Sequence, residues 1–284
     1  MGNGVAVVEP EADEDSGPHG VLARTLAIIE LLAHNARGLA LFEIADRLRI
    51  PRSAAHRLLT SLAGRGYVRA EARPGLYVLT AKIASLGFIF LAGSGVTDLA
   101  QPILDRLARE SGELVRMTVL DDNRLTWVAR AQGAGAGLRY DPDMGQVARL
   151  SCSATGLAWL SCLTDGAALA LVEAEGLGTR EAYGPRAPQT PQAFLRALRL
   201  ARKRGFSIMV QAFAPGMAAM AAPIRNAATN EPTGTVSIAG PHPRFNEQRM
   251  QQLGPKLLEA SRELSLATVA SPGWSSRRAD IFTA

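Results

Sequence analysis

Two short amphipathic helices separated by only two residues leave a chain few ways to fold, and residues 41–64 carry such a pair. LFEIADRLR (residues 41–49) places Leu41, Ile44, Ala45 and Leu48 on one side, and RSAAHRLLTSLAG (residues 52–64) follows directly after Ile50 and Pro51. On the second helix, with Arg52 at the origin, Ser53, His56, Arg57 and Thr60 fall within an arc of roughly 140°, while Ala55, Leu58, Leu59 and Leu62 occupy roughly 240° to 340°. The apolar stripe needs a core. The opposite face carries long cationic donors and short hydroxyls, and it contains no carboxylate.

The flanking sequence supplies the rest of a small domain. VLARTLAIIELLAH (residues 21–34) repeats apolar residues at helical spacing ahead of the pair. Pro51 suits a helix start, where its missing N–H costs nothing. Gly64 and Gly66 stop the third helix, and YVRAEARPGLYVLT (residues 67–80) alternates around a Pro74-Gly75 turn as a two-stranded hairpin. Three helices and a hairpin make a winged helix-turn-helix, in which the third helix enters the major groove of DNA. Arg52 and Arg57 can then reach phosphates or guanine edges, Ser53 and Thr60 can donate to phosphates, and His56 can do either. Arg73, at the wing tip, is placed for the backbone or the adjacent minor groove.

Charge along the chain agrees. Residues 1–20 hold Glu9, Glu11, Asp13, Glu14 and Asp15 with no Lys or Arg, whereas residues 21–80 hold nine Arg against Glu30, Glu43, Asp46 and Glu71. A local arginine excess is the electrostatic footprint of a polyanionic partner. Apolar runs such as LGFIFLA are far shorter than the roughly 20 residues of a spanning helix, and the acidic N-terminus is unlike a signal peptide, so the expected setting is the cytoplasm, with no membrane partner.

The run RTLAIIELLA…LALFEIADRLRIPRSAAHRLLTSLAGRGYV…GLYVLTAKIASLG resembles the N-terminal half of the IclR family of bacterial transcriptional regulators. AQPILDRLARESGE, TGLAWLSCL, RKRGFSIMVQAFAPGMAAMAAPI and GTVSIAGPHPRF continue the likeness in the family's order, over roughly residues 21–267. The resemblance implies a DNA-binding domain, a linker helix and a GAF-like effector-binding domain, assembled as a dimer or a dimer of dimers. The expected organisation is an acidic tail (1–20), a winged helix-turn-helix (21–80), a linker helix (81–95), an effector domain (96–267) and a C-terminal tail (268–284). Neither tail shows a core-forming pattern, and both are expected to be mobile.

The residues of the second half support an α+β domain with an antiparallel sheet. LTAKIASLGFIFLAGS (residues 79–94) is one apolar helical pattern, and a helix this apolar between two domains must bury itself, with a second chain as the natural partner. A second amphipathic helix spans residues 96–112. ELVRMTVLDDNRLTWVARAQG (residues 113–133) reads as a hairpin around Asp121-Asp122-Asn123. Helices are expected at 154–163, 165–175, 191–204 and 246–264, and strands at 206–211, 217–225 and 234–240.

Transferring the family's pocket positions one at a time, the resemblance implies an effector cup with Ala154 and Thr155 at a helix N-terminus, where backbone amides suit a carboxylate. Met209 and Val210, Met217 and Ala219, and Ser237 and Ala239 come from three successive strands, with Tyr140 and Trp159 as further candidates. Members that bind small, very polar acids tend to carry an acidic residue near Met209, a Cys near Ala219 and a second Ser near Ala239, and this chain has none of the three. A buried polar ligand atom without a partner costs about 1–3 kcal/mol. The expected effector is accordingly a larger, mostly apolar acid, such as an aromatic carboxylate from a catabolic pathway.

Catalysis is not expected. Ser151, Cys152, Ser153, Cys162 and His242 contain a nucleophile and a base in principle, but there is no G-x-S-x-G elbow, HExxH or phosphate loop. Two cysteines ten residues apart support neither a disulfide framework nor a metal site, and no cofactor is implied.

Overall fold

The computed structural model describes residues 20–71, 75–94, 96–135, 137–142, 144–145, 147–179 and 182–268. Apart from Gly20 and Thr268, both tails lie outside this set. The chain divides into two compact units, residues 1–90 and 91–284.

In the first unit, α1 (Val21–Ala33), α2 (Leu41–Leu48) and α3 (Arg52–Gly64) surround a core of Ile28, Leu32, Ile44, Leu59 and Leu62. The turn between α2 and α3 is tight because Arg49 adopts a left-handed conformation (φ 53°), after which Pro51 accepts the first helical hydrogen bond of α3 from Ala55. The side chain of Glu43 accepts from the Ala40 N–H at 2.8 Å and closes the start of α2.

The wing has three strands, one more than the sequence pattern predicts. β2 (Val68–Ala70) and β3 (Leu76–Leu79) form the expected hairpin, and β1 (Leu39–Ala40) adds to the far side of β3, pairing Leu39 with Tyr77 and Ala40 with Leu76. Two residues are too few to show a period. Gly38 makes the pairing possible: at φ 84° its Cα lies where an added Cβ would come within 2.7 Å of Val78 Cγ1 and 2.9 Å of the Tyr77 carbonyl.

Helix α4 (Ala81–Ser94) starts from this unit, where Lys82 donates to the Arg65 carbonyl at 2.7 Å and lies over the Tyr67 ring. Farther along, Leu86, Phe88, Ile89 and Phe90 are all exposed.

The second unit is built on a five-stranded antiparallel sheet. Its strands are β4 (Leu114–Asp121), β5 (Arg124–Gln132), β6 (Ser207–Val210), β7 (Met217–Arg225) and β8 (Pro232–Pro241), in the order β5-β4-β8-β7-β6. One face packs on α5 (Val96–Ser111) and α9 (Glu247–Ala267) through Val115, Met117, Met220, Val236 and Ile238. The other face meets α6 (Ala154–Leu160) and α8 (Pro191–Arg204), with α7 (Asp165–Glu175) beside them. This is the expected α+β domain with an antiparallel sheet, and it agrees with a GAF-like arrangement. Among the described residues, no helix is long and apolar enough to cross a membrane.

A bulge in β5 decides which residues share a face. Met117 pairs with Ala129 but Thr118 pairs with Trp127, so Val128 is the extra residue. Ala129 and Ala131 consequently face α5 and α9, whereas Leu125 and Trp127 face α6 and α8. Strict alternation would put all four on one side.

Candidate functional site

The third helix sorts its residues as its periodicity predicts. Arg52, Ser53, His56, Arg57 and Thr60 are exposed, while Ala54, Ala55, Leu59 and Leu62 are buried and Leu58 is half-buried against the same core. Thr60 differs in one respect from the sequence reading. Its hydroxyl donates to the His56 carbonyl at 2.9 Å, so its single hydrogen is held by the helix itself and its lone pairs face outward. Arg73 lies outside the described residues.

In the second unit, Tyr140, Ala154, Thr155, Met209, Met217, Ala219, Ser237 and Ala239 line one cavity, together with Arg116, Trp127, Ser153, Phe213 and Ala218. The register explains why there is room. Met209 pairs with Ala219 and Ala219 with Ala239 across three strands, and Ala221, Ser237 and Arg116 form the next row. Small side chains along both rows leave a narrow cavity of about 30 Å³ above the sheet, inside a wider recess that opens to solvent. Val210, by contrast, packs on the α5 and α9 side, because strand alternation turns it away from Met209. Trp159 is fully buried in the core beneath α6 and does not line the cavity.

The residue missed in the sequence is Arg116, in the middle of β4. It is only 6% exposed, and among the described residues it is the one charged side chain in the lining. Its guanidinium carbon lies 4.0 Å from the centre of the Trp127 ring and 5.7 Å from that of Tyr140. Burial pushes its pKa below the usual arginine value and pushes the Tyr140 phenol up, the two groups opposing each other's shift. Arg116 Nε and Trp127 Nε1 are both buried without a hydrogen-bond partner. A charge inside an otherwise apolar strand was the available signal, but which face it took depended on the sheet.

The strap carrying Tyr140 is fastened from three sides. Gln132 donates to the Tyr140 carbonyl at 3.1 Å, Arg130 pairs with Asp141 at 2.7 Å, and Arg244 donates to the Leu138 carbonyl at 2.7 Å. Arg244 is itself held by both oxygens of the buried Glu113 carboxylate.

Helix α6 is shorter than its apolar pattern suggests. It spans seven residues, ending at Leu160, and Ser153 caps it by accepting from Gly156 N at 2.9 Å. The cap occupies the Gly156 amide, and Ala154 and Thr155 beside it line the cavity. Burial pushes the neighbouring Cys152 thiol up to about 11, and Cys162 is also raised. Neither cysteine has the environment of an activated nucleophile.

A helix-turn-helix with a basic, carboxylate-free recognition face, followed by a separate α+β domain, is the architecture of a transcription regulator. Comparison with known proteins gives the particular family. Residues 21–72 match the IclR helix-turn-helix domain, and residues 90–266 match the bacterial transcriptional regulator IclR C-terminal domain. The chain is 31% identical over 248 residues to the transcriptional repressor IclR of Escherichia coli, covering 87% of this chain and 89% of that one.

Solved structures share the fold. An IclR transcriptional regulator from Alicyclobacillus acidocaldarius superposes with a TM-score of 0.76 at 23% identity, covering 87% of this chain and 98% of that one. An IclR homologue from Microbacterium hydrocarbonoxydans, complexed with 4-hydroxybenzoate, gives 0.73 at 20% identity, covering 89% and 100%. The chain belongs to the IclR family of transcriptional regulators and carries its helix-turn-helix DNA-binding domain. Its relatives are named as regulators and repressors, not as enzymes.

Proposed function

We propose that this protein binds a palindromic operator through α3 and its wing, and that an aromatic or largely apolar carboxylic acid, held in the sheet cavity, alters that binding to control a catabolic operon. The observation that carries the reading is the cavity itself: an apolar pocket with a few convergent polar groups, in a chain whose first unit presents an exposed recognition helix. Arg52 and Arg57 contact base edges or phosphates, and Ser53, His56, Thr60 and Arg73 support them. Two such helices on a symmetric dimer would read two half-sites. The exposed Leu86, Phe88, Ile89 and Phe90 on α4 supply an apolar face for a second copy. The domain limits follow the expected organisation, and the setting is the cytoplasm, where the DNA is.

Met209 and Met217 lend the pocket an adaptable apolar wall. The 4-hydroxybenzoate complex of the Microbacterium relative makes that acid a sensible first probe.

The test is a gel-shift titration with the DNA lying immediately upstream of the protein's own gene, at two salt concentrations and with a panel of aromatic and aliphatic acids. Selective binding that weakens as salt rises, and that one acid changes, is the expected result. Sequence-independent binding would remove the operator reading, and indifference to every acid would remove the effector reading.

A further inference from the structure

We propose that Arg116 is the counter-charge for the effector's acid group, and that it makes the cavity selective for a planar organic carboxylate whose apolar body lies along Met209, Met217, Ala219 and Ala239. The inference rests on the cavity being the effector site and adds which atom recognises the ligand.

The argument is one of unmet needs. A buried charge is costly unless an opposite charge or several hydrogen bonds accompany it. Arg116 has the rings of Trp127 and Tyr140 against it, and cation–π contact offsets part of that cost. Neither ring is an anion. Among the described residues the cavity lining contains no Asp or Glu, and Arg116 Nε is without a partner. Trp127 Nε1 is a second buried donor in the same condition in the same wall. Two unpartnered donors, one of them cationic, call for a group that only accepts hydrogen bonds and carries negative charge.

A carboxylate meets both conditions. Stacking occupies the flat side of a guanidinium and leaves its N–H edge, which matches the two oxygens of a carboxylate. A neutral alcohol or amide would leave the charge uncompensated.

The charged corner is assembled without a ligand, while the narrow cavity beside it has to widen at Met209 and Met217 to admit an aromatic body. Trp127 reaches this face through the Val128 bulge, and Tyr140 is held by the strap bonds of Gln132, Arg130 and Arg244. Such preorganisation lowers the ordering cost of binding. Beyond the charged corner the lining is methionine, alanine and Phe213, with the hydroxyl residues Ser153, Thr155 and Ser237 among them, which suits a mostly flat hydrocarbon body.

The experiment is a tryptophan-fluorescence titration of the full-length protein with 4-hydroxybenzoate, benzoate and phenylacetate, each against its neutral amide. It is run on the wild type and on Arg116→Lys, Arg116→Met and Ala219→Asp, with operator binding of each variant as the folding control. The wild type should prefer acids to amides, and Arg116→Met should weaken acid binding by about 10- to 100-fold, the range for a charged hydrogen bond, while leaving amide binding unchanged. Arg116→Lys should retain part of the preference, because the charge stays and the forked geometry goes.

Acids and amides binding equally to the wild type, at a site blocked by Ala219→Asp, would overturn the role of Arg116 and leave the effector cavity standing. An undiminished acid preference in Arg116→Met would do the same. Binding that Ala219→Asp does not disturb, or no binding of any probe, would overturn the cavity reading and this proposal with it. If Arg116→Met fails to fold, the wild-type acid-to-amide ratio and the Arg116→Lys variant decide.

Discussion

Arginine does opposite things in the two halves of this molecule. On α3, Arg52 and Arg57 stand exposed on a face without carboxylates, solvated and free to sample a partner's surface. On β4, Arg116 is buried against Trp127 and Tyr140 with an unpartnered Nε. The exposed residues cost the fold nothing, and their meaning comes from their arrangement. The buried one is expensive where it stands, and its meaning comes from that expense. A chain that keeps both has one surface suited to a polyanion and one interior suited to a single small anion.

The largest expected break in the comparison is Ala219→Asp. A carboxylate on the cavity floor would compete for the site of a bound acid and lie among groups that cannot hydrate it. The response of DNA binding to acids should vanish while binding without acid persists, as read by gel shift; a normal response would show that the floor was assigned to the wrong residues. Next in size are Arg52→Ala and Arg57→Ala. Each should weaken operator binding by about 1–3 kcal/mol if the side chain reads a base edge, and less if it contacts only phosphate. Fluorescence anisotropy at two salt concentrations separates the two, and unchanged affinity for both variants would take α3 out of the groove.

The same contrast between buried and exposed groups extends to titration. Cys152, with its thiol raised to about 11 and 2% exposed, should react with a thiol reagent at pH 8 at least about 100-fold more slowly than a free cysteine. Fast modification of Cys152, identified by mass spectrometry, would reopen the possibility of a redox-sensing thiol.

Asp165 is the half-exposed counterpart. Hydrogen bonds from Arg202 and Arg199 hold its carboxyl below the usual value. A depressed folded-state pKa gives stability that is present above the unfolded value of about 4 and lost as pH falls below it. Asp165→Asn should therefore lower thermal stability slightly at neutral pH and lose less of it below pH 4, so that the two proteins converge in acid. An equally steep acid limb would mean that the ion pairs contribute nothing.

Much of this molecule could be read from spacing alone. Helix periodicity placed Ala55, Leu59 and Leu62 inward and Arg52, Ser53, His56, Arg57 and Thr60 outward, because 3.6 residues per turn is a local rule that a single helix obeys by itself. Alternation placed Met209, Met217, Ala219, Ser237 and Ala239 on the strands that became β6, β7 and β8, the family resemblance put them in one neighbourhood, and the structure brings them together around one cavity.

Local rules did not reach the rest. β1 is two residues long, and its existence depends on β3 lying beside a glycine with no side chain to obstruct it. The end of α6 at Leu160 was hidden by an apolar run that continues past it. The Val128 bulge reverses the facing of half a strand, and the alternation of residues 124–132 contains nothing to announce it. Sequence by itself determined the recognition helix and the class of both domains, since each follows from contacts between near neighbours in the chain, while the cavity residues were named by the family resemblance. Only the tertiary structure decided that Arg116, Trp127 and Tyr140 meet at one corner of that cavity. Their meeting depends on register across β4 and β5 and on a strap pinned by Gln132, Arg130 and Arg244, and pairing between separate segments is a property no single segment carries.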